Sequence, residues 1–270
     1  MADADGAHAA SLARDTRLLK QTVREAGQLA LSLFRTDLKN WTKGASSPVS
    51  EADVAVNDLL EARLRSATPD YGWLSEESAD DEDRLGRPRV WIVDPIDGTR
   101  GYLAGREDWC VSVALVEDSA PLLAAVFAPV SDEFFFASRG LGATRNESPV
   151  FVTGGSELDF ARVAGPKPLA ERLNTTRQDI TLHPRIASLA LRLCRVAQGN
   201  LDVAFAGGQS RDWDLAAANL IVQEANGRMT ALSGDTILYN RREVAHGILV
   251  AAGRDRHASI VSHFRHHPLP

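Results

Sequence analysis

The chain has 270 residues, 44% of them hydrophobic and 24% charged, which is the composition of an ordinary globular protein with material for a sizeable core. A formal net charge of −6 leaves no basic excess to neutralise a nucleic-acid polymer, although a metal ion could still supply local positive charge for a small phosphorylated ligand. The longest apolar stretch, around PLLAAVFAPV, is too short and too broken by proline to cross a bilayer, so no membrane partner is expected.

The opening MADADGAHAASLARDTRLLK has no apolar signal core and no cleavage site. Residues 9–38 place Leu12, Leu18, Leu19, Val23, Ala26, Leu29, Ala30, Leu33 and Phe34 in an apolar stripe and predict a long amphipathic helix. WTKGASSPVS then reads as a loop. Ser50 is a natural N-cap for a helix over EADVAVNDLLEARLRSA. YGWLS predicts a short strand, and the acidic run ESADDEDRLG a solvated loop. VWIV is a strand that runs into DPIDGT, and WCVSVALVE, LLAAVFAP and EFFFAS predict an antiparallel meander.

From about residue 160 strands and helices alternate: ARVAG, PLAERLNTT (helix), ASLALRLCRVAQG (helix), LDVAFA, WDLAAANLIVQEANG (helix) and GILVAA. The expected organisation is an α+β part over residues 1–150 and an α/β part over 151–270. Cys110 and Cys194 are flanked by apolar residues and lack a CxxC partner. They predict buried thiols in a reducing compartment, hence the cytoplasm.

Several carboxylates stand out: Glu76 and Glu77 after a strand, Asp94 and Asp97 at a strand end, Asp214 opening a helix, and Asp53 early in another. Singly, each has an ordinary explanation as an exposed pair, a turn or a helix cap. The segment Asp94-Pro95-Ile96-Asp97-Gly98-Thr99 resists that explanation, because a cap or turn needs one carboxylate and here two flank a stiff link. A hard divalent cation such as Mg²⁺ would account for both acids, together with the Ile96 carbonyl. Gly98 would let the backbone approach a ligand, and the helix start at Thr99 suits a phosphate.

These motifs, in this order, resemble the inositol monophosphatase superfamily of Mg²⁺-dependent, lithium-sensitive phosphatases. The residues that carry the resemblance are Glu76-Glu77, Asp94 to Thr99 and Trp213-Asp214, with KGASSPVSEAD and WDLAAANLIVQEANG in support. The resemblance implies a layered αβαβα sugar-phosphatase fold. It also implies two or three Mg²⁺ ions held by Glu76, Asp94, the Ile96 carbonyl, Asp97 and Asp214, and homodimerisation. Uncatalysed phosphomonoester hydrolysis needs acceleration of up to ~10²¹-fold. One general base offers about 10²–10⁴-fold, so metal ions fit the magnitude better.

No cysteine or serine nucleophile motif is present, and the expected reaction is in-line attack by a metal-activated water. The resemblance makes Thr99, hydrogen-bonded to Asp53, the group that orients that water. It gives the Gly98 and Thr99 amides the phosphate, and Glu77 a supporting place beside the metals. Lys43 on the loop is a candidate to stabilise substrate charge, and so is Arg192. Inositol enzymes of the superfamily carry a glutamate seven residues before the WD aspartate. Here that position is Gly207, and the chain looks most like the bacterial 3'(2'),5'-bisphosphate nucleotidase branch. The expected substrate is a small phosphate ester, adenosine 3',5'-bisphosphate, with inositol monophosphate or histidinol phosphate as alternatives. A rival from another class is a non-catalytic regulator that binds a phosphorylated ligand; a binding module has little need of so many paired acids.

Overall fold

Residues 2–43, 47–174, 179–267 and 269 are described by a computed structural model. The first helix, α1 (Ala2–Leu33), starts earlier and stops sooner than the apolar stripe predicts. Its alanine-rich first turns are helical without an apolar face to announce them, and Arg35 ends the run in the left-handed region at φ 59°. Where a loop was expected, β1 (Asn40–Lys43) and β2 (Ser47–Ser50) pair antiparallel with Trp41 opposite Val49. Pro48 is tolerated because it lies in an isolated two-stranded ribbon, and fully buried Val49 anchors it. Gly44, Ala45 and Ser46 of the expected loop lie outside the described residues. α2 (Glu51–Ala67) begins with a reciprocal cap. The Ser50 N–H donates to Asp53 at 2.8 Å while Ser50 Oγ accepts the Asp53 N–H.

The larger sheet is built in chain order from β3 (Gly72–Ser75), β4 (Arg89–Asp97), β5 (Cys110–Glu117), β6 (Ala120–Ala128), β7 (Glu133–Ser138), β8 (Ala143–Arg145) and β9 (Ser148–Pro149). The meander is antiparallel as expected, but β3 joins β4 in parallel. A five-residue helix, α3 (Thr99–Leu103), follows β4. Between β3 and β4 the acidic run is not wholly solvated. It winds into a 3₁₀ turn, Glu82–Gly86, whose Arg84 is buried and forks onto Asp80 while reaching Asn240 and the Arg241 carbonyl.

The second sheet draws on β10 (Arg162–Ala164), α4 (Lys167–Asn174), β11 (Thr181–Leu182), α5 (Leu189–Ala197) and β12 (Val203–Ala206). β13 (Ser210–Arg211) leads into α6 (Asp212–Glu224), then β14 (Gly227–Ala231), β15 (Ala245–His246), β16 (Leu249–Gly253) and α7 (Arg254–His266). Thr175 and Thr176, the end of the predicted 168–176 helix, lie outside the described residues. Its strand order is β11-β10-β12-β16-β14, so the last strand in sequence sits inside the sheet.

Period-two alternation splits each sheet between two cores. Trp91, Val93, Leu115 and Phe127 face α1 and α2, whereas Ile92, Ala114 and Val126 share a core with α5 and α6. That middle core also takes Ala204 and Ala251, while Val203, Phe205 and Val250 pack with Ile260 and Phe264 of α7 and Leu169 of α4. The result is five layers, αβαβα. α6 is apolar nearly all round because it is sandwiched between the two sheets. Gly27 lets α1 lie close to β6, since a Cβ there would overlap the Phe127 ring. Among the described residues no helix is long and apolar enough to cross a membrane.

Candidate active site

In a regular strand Asp94 and Asp97, three residues apart, would point to opposite faces. β4 avoids this with an irregularity: Asp94 lies opposite Ser112 and Asp97 opposite Cys110, so three steps on β4 match two on β5. The extra residue turns both acids toward one cleft, and Pro95 has no N–H to leave unpaired. Gly98 follows at φ 98°, where a Cβ would stand 3.1 Å from the Ser188 amide nitrogen. Both the left-handed backbone and the close approach require glycine.

Glu76 enters from the end of β3, its N–H still bonded to the Val93 carbonyl, and Asp214 from the first turn of α6. One carboxylate oxygen from each of Glu76, Asp94 and Asp214 lies within 4.8 Å of the other two. Burial pushes Asp94 well above the usual carboxylate range, and Glu76, Asp97 and Asp214 add to it. Burial, then Asp214 and Glu77, raise Glu76 to about 8. Asp214 rises to about 7 through burial and Asp97, although the Arg211 amide and guanidinium draw it back. Asp94 Oδ1 is fully buried with no hydrogen-bond partner among the described residues. An orphaned hard oxygen beside two further carboxylates fits Mg²⁺.

Asp97 has a second duty. Its Oδ2 accepts the Ser188 hydroxyl at 2.6 Å and the Ala190 N–H at 2.5 Å, at the start of α5. One carboxylate thus joins the large sheet to a helix of the middle layer. Ser188 is not among the site residues that the sequence singles out, although a local signal for it exists. A serine three residues before Leu191 in an apolar run is an N-cap signal, and its Oγ accepts the Leu191 N–H.

Asp53 and Thr99 meet as expected, with Thr99 Oγ1 3.0 Å from Asp53 Oδ1 and 2.9 Å from the Ile96 carbonyl. The other Asp53 oxygen closes the α2 cap, and burial raises its pKa. Asn57, which no sequence signal marked, accepts from Ser75 Oγ at 2.7 Å and donates to Ser78 Oγ at 3.3 Å, fastening the turn that bears both glutamates. Lys43 Nζ pairs with the Glu77 carboxylate and donates to the Glu76 carbonyl at 3.3 Å.

The cleft has a volume of about 860 Å³ and brings Lys43, Glu76, Asp94, Ile96, Asp97, Gly98, Thr99, Arg192 and Asp214 to one surface. Asp53 and Glu77 stand behind it: Asp53 acts on Thr99, and Glu77 faces Lys43. Arg100, Arg185 and Arg211 also line it. Arg192 is held by the carbonyls of Phe205 and Ile186 at 3.0 and 3.1 Å. Gly207 opens onto the cleft, whose described lining residues include no carboxylate beyond Glu76, Asp94, Asp97 and Asp214. Asp212 is occupied by His246 at 2.6 Å and the Asn240 N–H at 2.7 Å.

A family model described as the inositol monophosphatase family matches residues 12–269. The chain is 36% identical over 198 residues to Nus factor SuhB of Xylella fastidiosa, covering 68% of this chain and 69% of that protein. It is 34% identical over 209 residues to a histidinol-phosphatase of Mycobacterium tuberculosis, covering 73% and 79%. The crystal structure of extragenic suppressor protein suhB from Bartonella henselae superposes with a TM-score of 0.82 at 26% identity, covering 93% of this chain and 98% of that one.

Proposed function

The chain belongs to the inositol monophosphatase family, and from that premise we propose that it removes the 3'-phosphate of adenosine 3',5'-bisphosphate. It is a magnesium-dependent phosphoric monoester hydrolase. The observation that carries the substrate is the cleft's asymmetry. Its floor is acidic, whereas Arg100, Arg185, Arg192 and Arg211 line it elsewhere without a further carboxylate among the described lining residues. Cationic lining suits a second phosphate. Histidinol phosphate carries an ammonium group and would want an acid there. Inositol hydroxyls would lack the acceptor that a longer side chain at Gly207 could offer, and a hydroxyl buried without a partner costs about 1–3 kcal/mol.

Glu76, Asp94, the Ile96 carbonyl, Asp97 and Asp214 would hold two or three Mg²⁺ ions. When bound, the metal neutralises charge on the scissile phosphoryl group and makes water acidic enough to be a nucleophile near neutral pH. Thr99 and Asp53 manage the proton. Asp53 Oδ1 takes the Thr99 hydrogen, which leaves a threonine lone pair to receive one from water, and the raised Asp53 pKa suits it to share that proton. The Gly98 and Thr99 amides donate to the phosphoryl oxygens. Glu77 holds Lys43 at the mouth, and Ser188 and Ala190 fix the Asp97 carboxylate. Two buried free thiols suit a reducing compartment, so the proposed location is the cytoplasm.

A side-by-side panel tests the substrate. Adenosine 3',5'-bisphosphate should show the highest kcat/KM, with inositol 1-phosphate, histidinol phosphate and adenosine 5'-monophosphate well below. Inositol 1-phosphate or histidinol phosphate at the top of the panel would refute it.

A further inference from the structure

Beside the cleft lies a second cavity of about 480 Å³, and the two share Pro166, Arg185 and Arg192. Lys167 and His183 line its far side with apolar Val163 and Leu182, and no carboxylate lines it among the described residues. Its charge is the inverse of the cleft floor.

The boundary that the two cavities share is shaped by backbone. Gly165 sits at φ +146°, where a Cβ would come within 2.8 Å of Phe205, so the loop folds tightly over the end of β12 and presents Pro166 and Lys167. Opposite stands Gly207, where a Cβ would lie 3.5 Å from Pro166 Cγ. A longer side chain at 207 would reach across this waist, and glycine leaves it open.

The cations here lack strong counter-charges. Arg192 donates to two neutral carbonyls, and Arg185, though exposed, has no side-chain hydrogen bond or ion pair among the described residues. Burial depresses Arg192 and neighbouring Arg185 depresses it further, with Asp97 opposing. Lys167 meets Glu171 at 3.4 Å, but both side chains are mostly exposed and such a pair is readily exchanged. His183 Nδ1 lies 2.8 Å from the Pro184 carbonyl, so its ring hydrogen belongs on Nδ1 and a protonated ring donates from Nε2 as well.

We propose that this annex is a second anion site that receives the phosphate not being hydrolysed. The substrate then straddles the Gly207–Pro166 waist, with its scissile phosphate over the acids and its other phosphate among Lys167, His183 and Arg185. The annex rests on the assignment of a bisphosphate substrate and adds where the second phosphate goes.

The test compares adenosine 3',5'-bisphosphate with adenosine 3'-monophosphate, which keeps the base and the scissile phosphate but lacks the second one. The wild-type enzyme should prefer the bisphosphate by about tenfold or more in kcat/KM, chiefly through KM, and lose that preference as salt is raised. Lys167→Ala and His183→Ala should each shrink the ratio several-fold, Lys167→Glu should abolish it, and Lys167→Arg should keep it. Thermal melts confirm that the variants fold. An undiminished ratio in the folded Lys167→Glu, His183→Ala double variant would overturn the annex while leaving the bisphosphate substrate standing. Equal losses on both nucleotides would place the base there instead and also overturn it. A wild-type enzyme that treats the two nucleotides alike would sink the bisphosphate assignment, and the annex with it.

Discussion

Two parts of this molecule bury carboxylates, and they do so in opposite ways. Asp15 on α1 is fully buried, yet it accepts from Arg89 at 3.0 Å, Arg14 at 2.9 Å and the Tyr71 hydroxyl at 2.7 Å. Asp202, just before β12, takes Arg162 Nε at 2.8 Å and Thr153 Oγ1 at 2.6 Å. Burial alone would raise it, but those bonds hold it well below the usual range. In the cleft, by contrast, Glu76, Asp94 and Asp214 face one another and all three are raised. At Asp15 and Asp202 the chain supplies an arginine to balance the buried acid. In the cleft it leaves the charge for something from outside to balance, and stability is given up for function.

The largest test of that contrast is removal of the acids themselves. Asp94→Asn and Asp214→Asn should each lower Mg²⁺-dependent kcat by about a thousandfold or more, since several kcal/mol of charge stabilisation is lost. The metal-free protein should melt no lower, and higher if the repulsion matters. Near-wild-type turnover of either variant in Mg²⁺ would break the contrast.

Smaller, and internal to the cleft, is the proton pair. Thr99→Ala and Asp53→Asn should each cost about 10²-fold in kcat with little change in KM, and the double variant little more than either. Additive losses would show that the two side chains work separately.

On the other side of the comparison, Asp202→Ala should destabilise the fold by about 1–3 kcal/mol, because it strands Arg162 and Thr153, and leave kcat unchanged. Urea unfolding and steady-state kinetics on one preparation decide this.

The subtlest test is pH. Glu76 near 8 and Asp214 near 7 lie above ordinary carboxylates, so their contribution is full at low pH and lost as pH rises through about 7 to 8. Without metal, Tm should fall from pH 6 to 9, and Mg²⁺ should restore more of it at the alkaline end. Asp202 carries the opposite sign: its contribution holds above the ordinary aspartate pKa and is lost as pH falls through its depressed one. Melting in EDTA that is flat from pH 6 to 9 would contradict the raised pair.

The acids themselves were legible because their information is local. DPIDGT packs two carboxylates and a left-handed glycine into six residues, and the two glutamates and the WD aspartate each mark an element end. What holds them was not legible, because it is distant in sequence. Ser188 reaches Asp97 across 91 positions and Arg84 reaches Asn240 across 156. The α1, α2 and meander pattern followed from hydrophobic period. α7 escaped notice because its polar composition hides the stripe of Ile260, Val261 and Phe264. The β1–β2 ribbon escaped because serine, glycine and proline read as a loop, and its one strong anchor, Val49, is a single residue.

The interior position of β16 also bears on how the enzyme is made. A ribosome delivers Asp94 long before it delivers the strand that closes the small sheet, since β16 must slot between β12 and β14. Until then α6 packs against β4, β5 and β6 of the finished sheet while the small sheet on its other side is incomplete. Glu76 and Asp94 are therefore synthesised well before Asp214, their third partner. The three acids are fixed together only when the last strand of the small sheet seats and the two sheets clasp the helix between them.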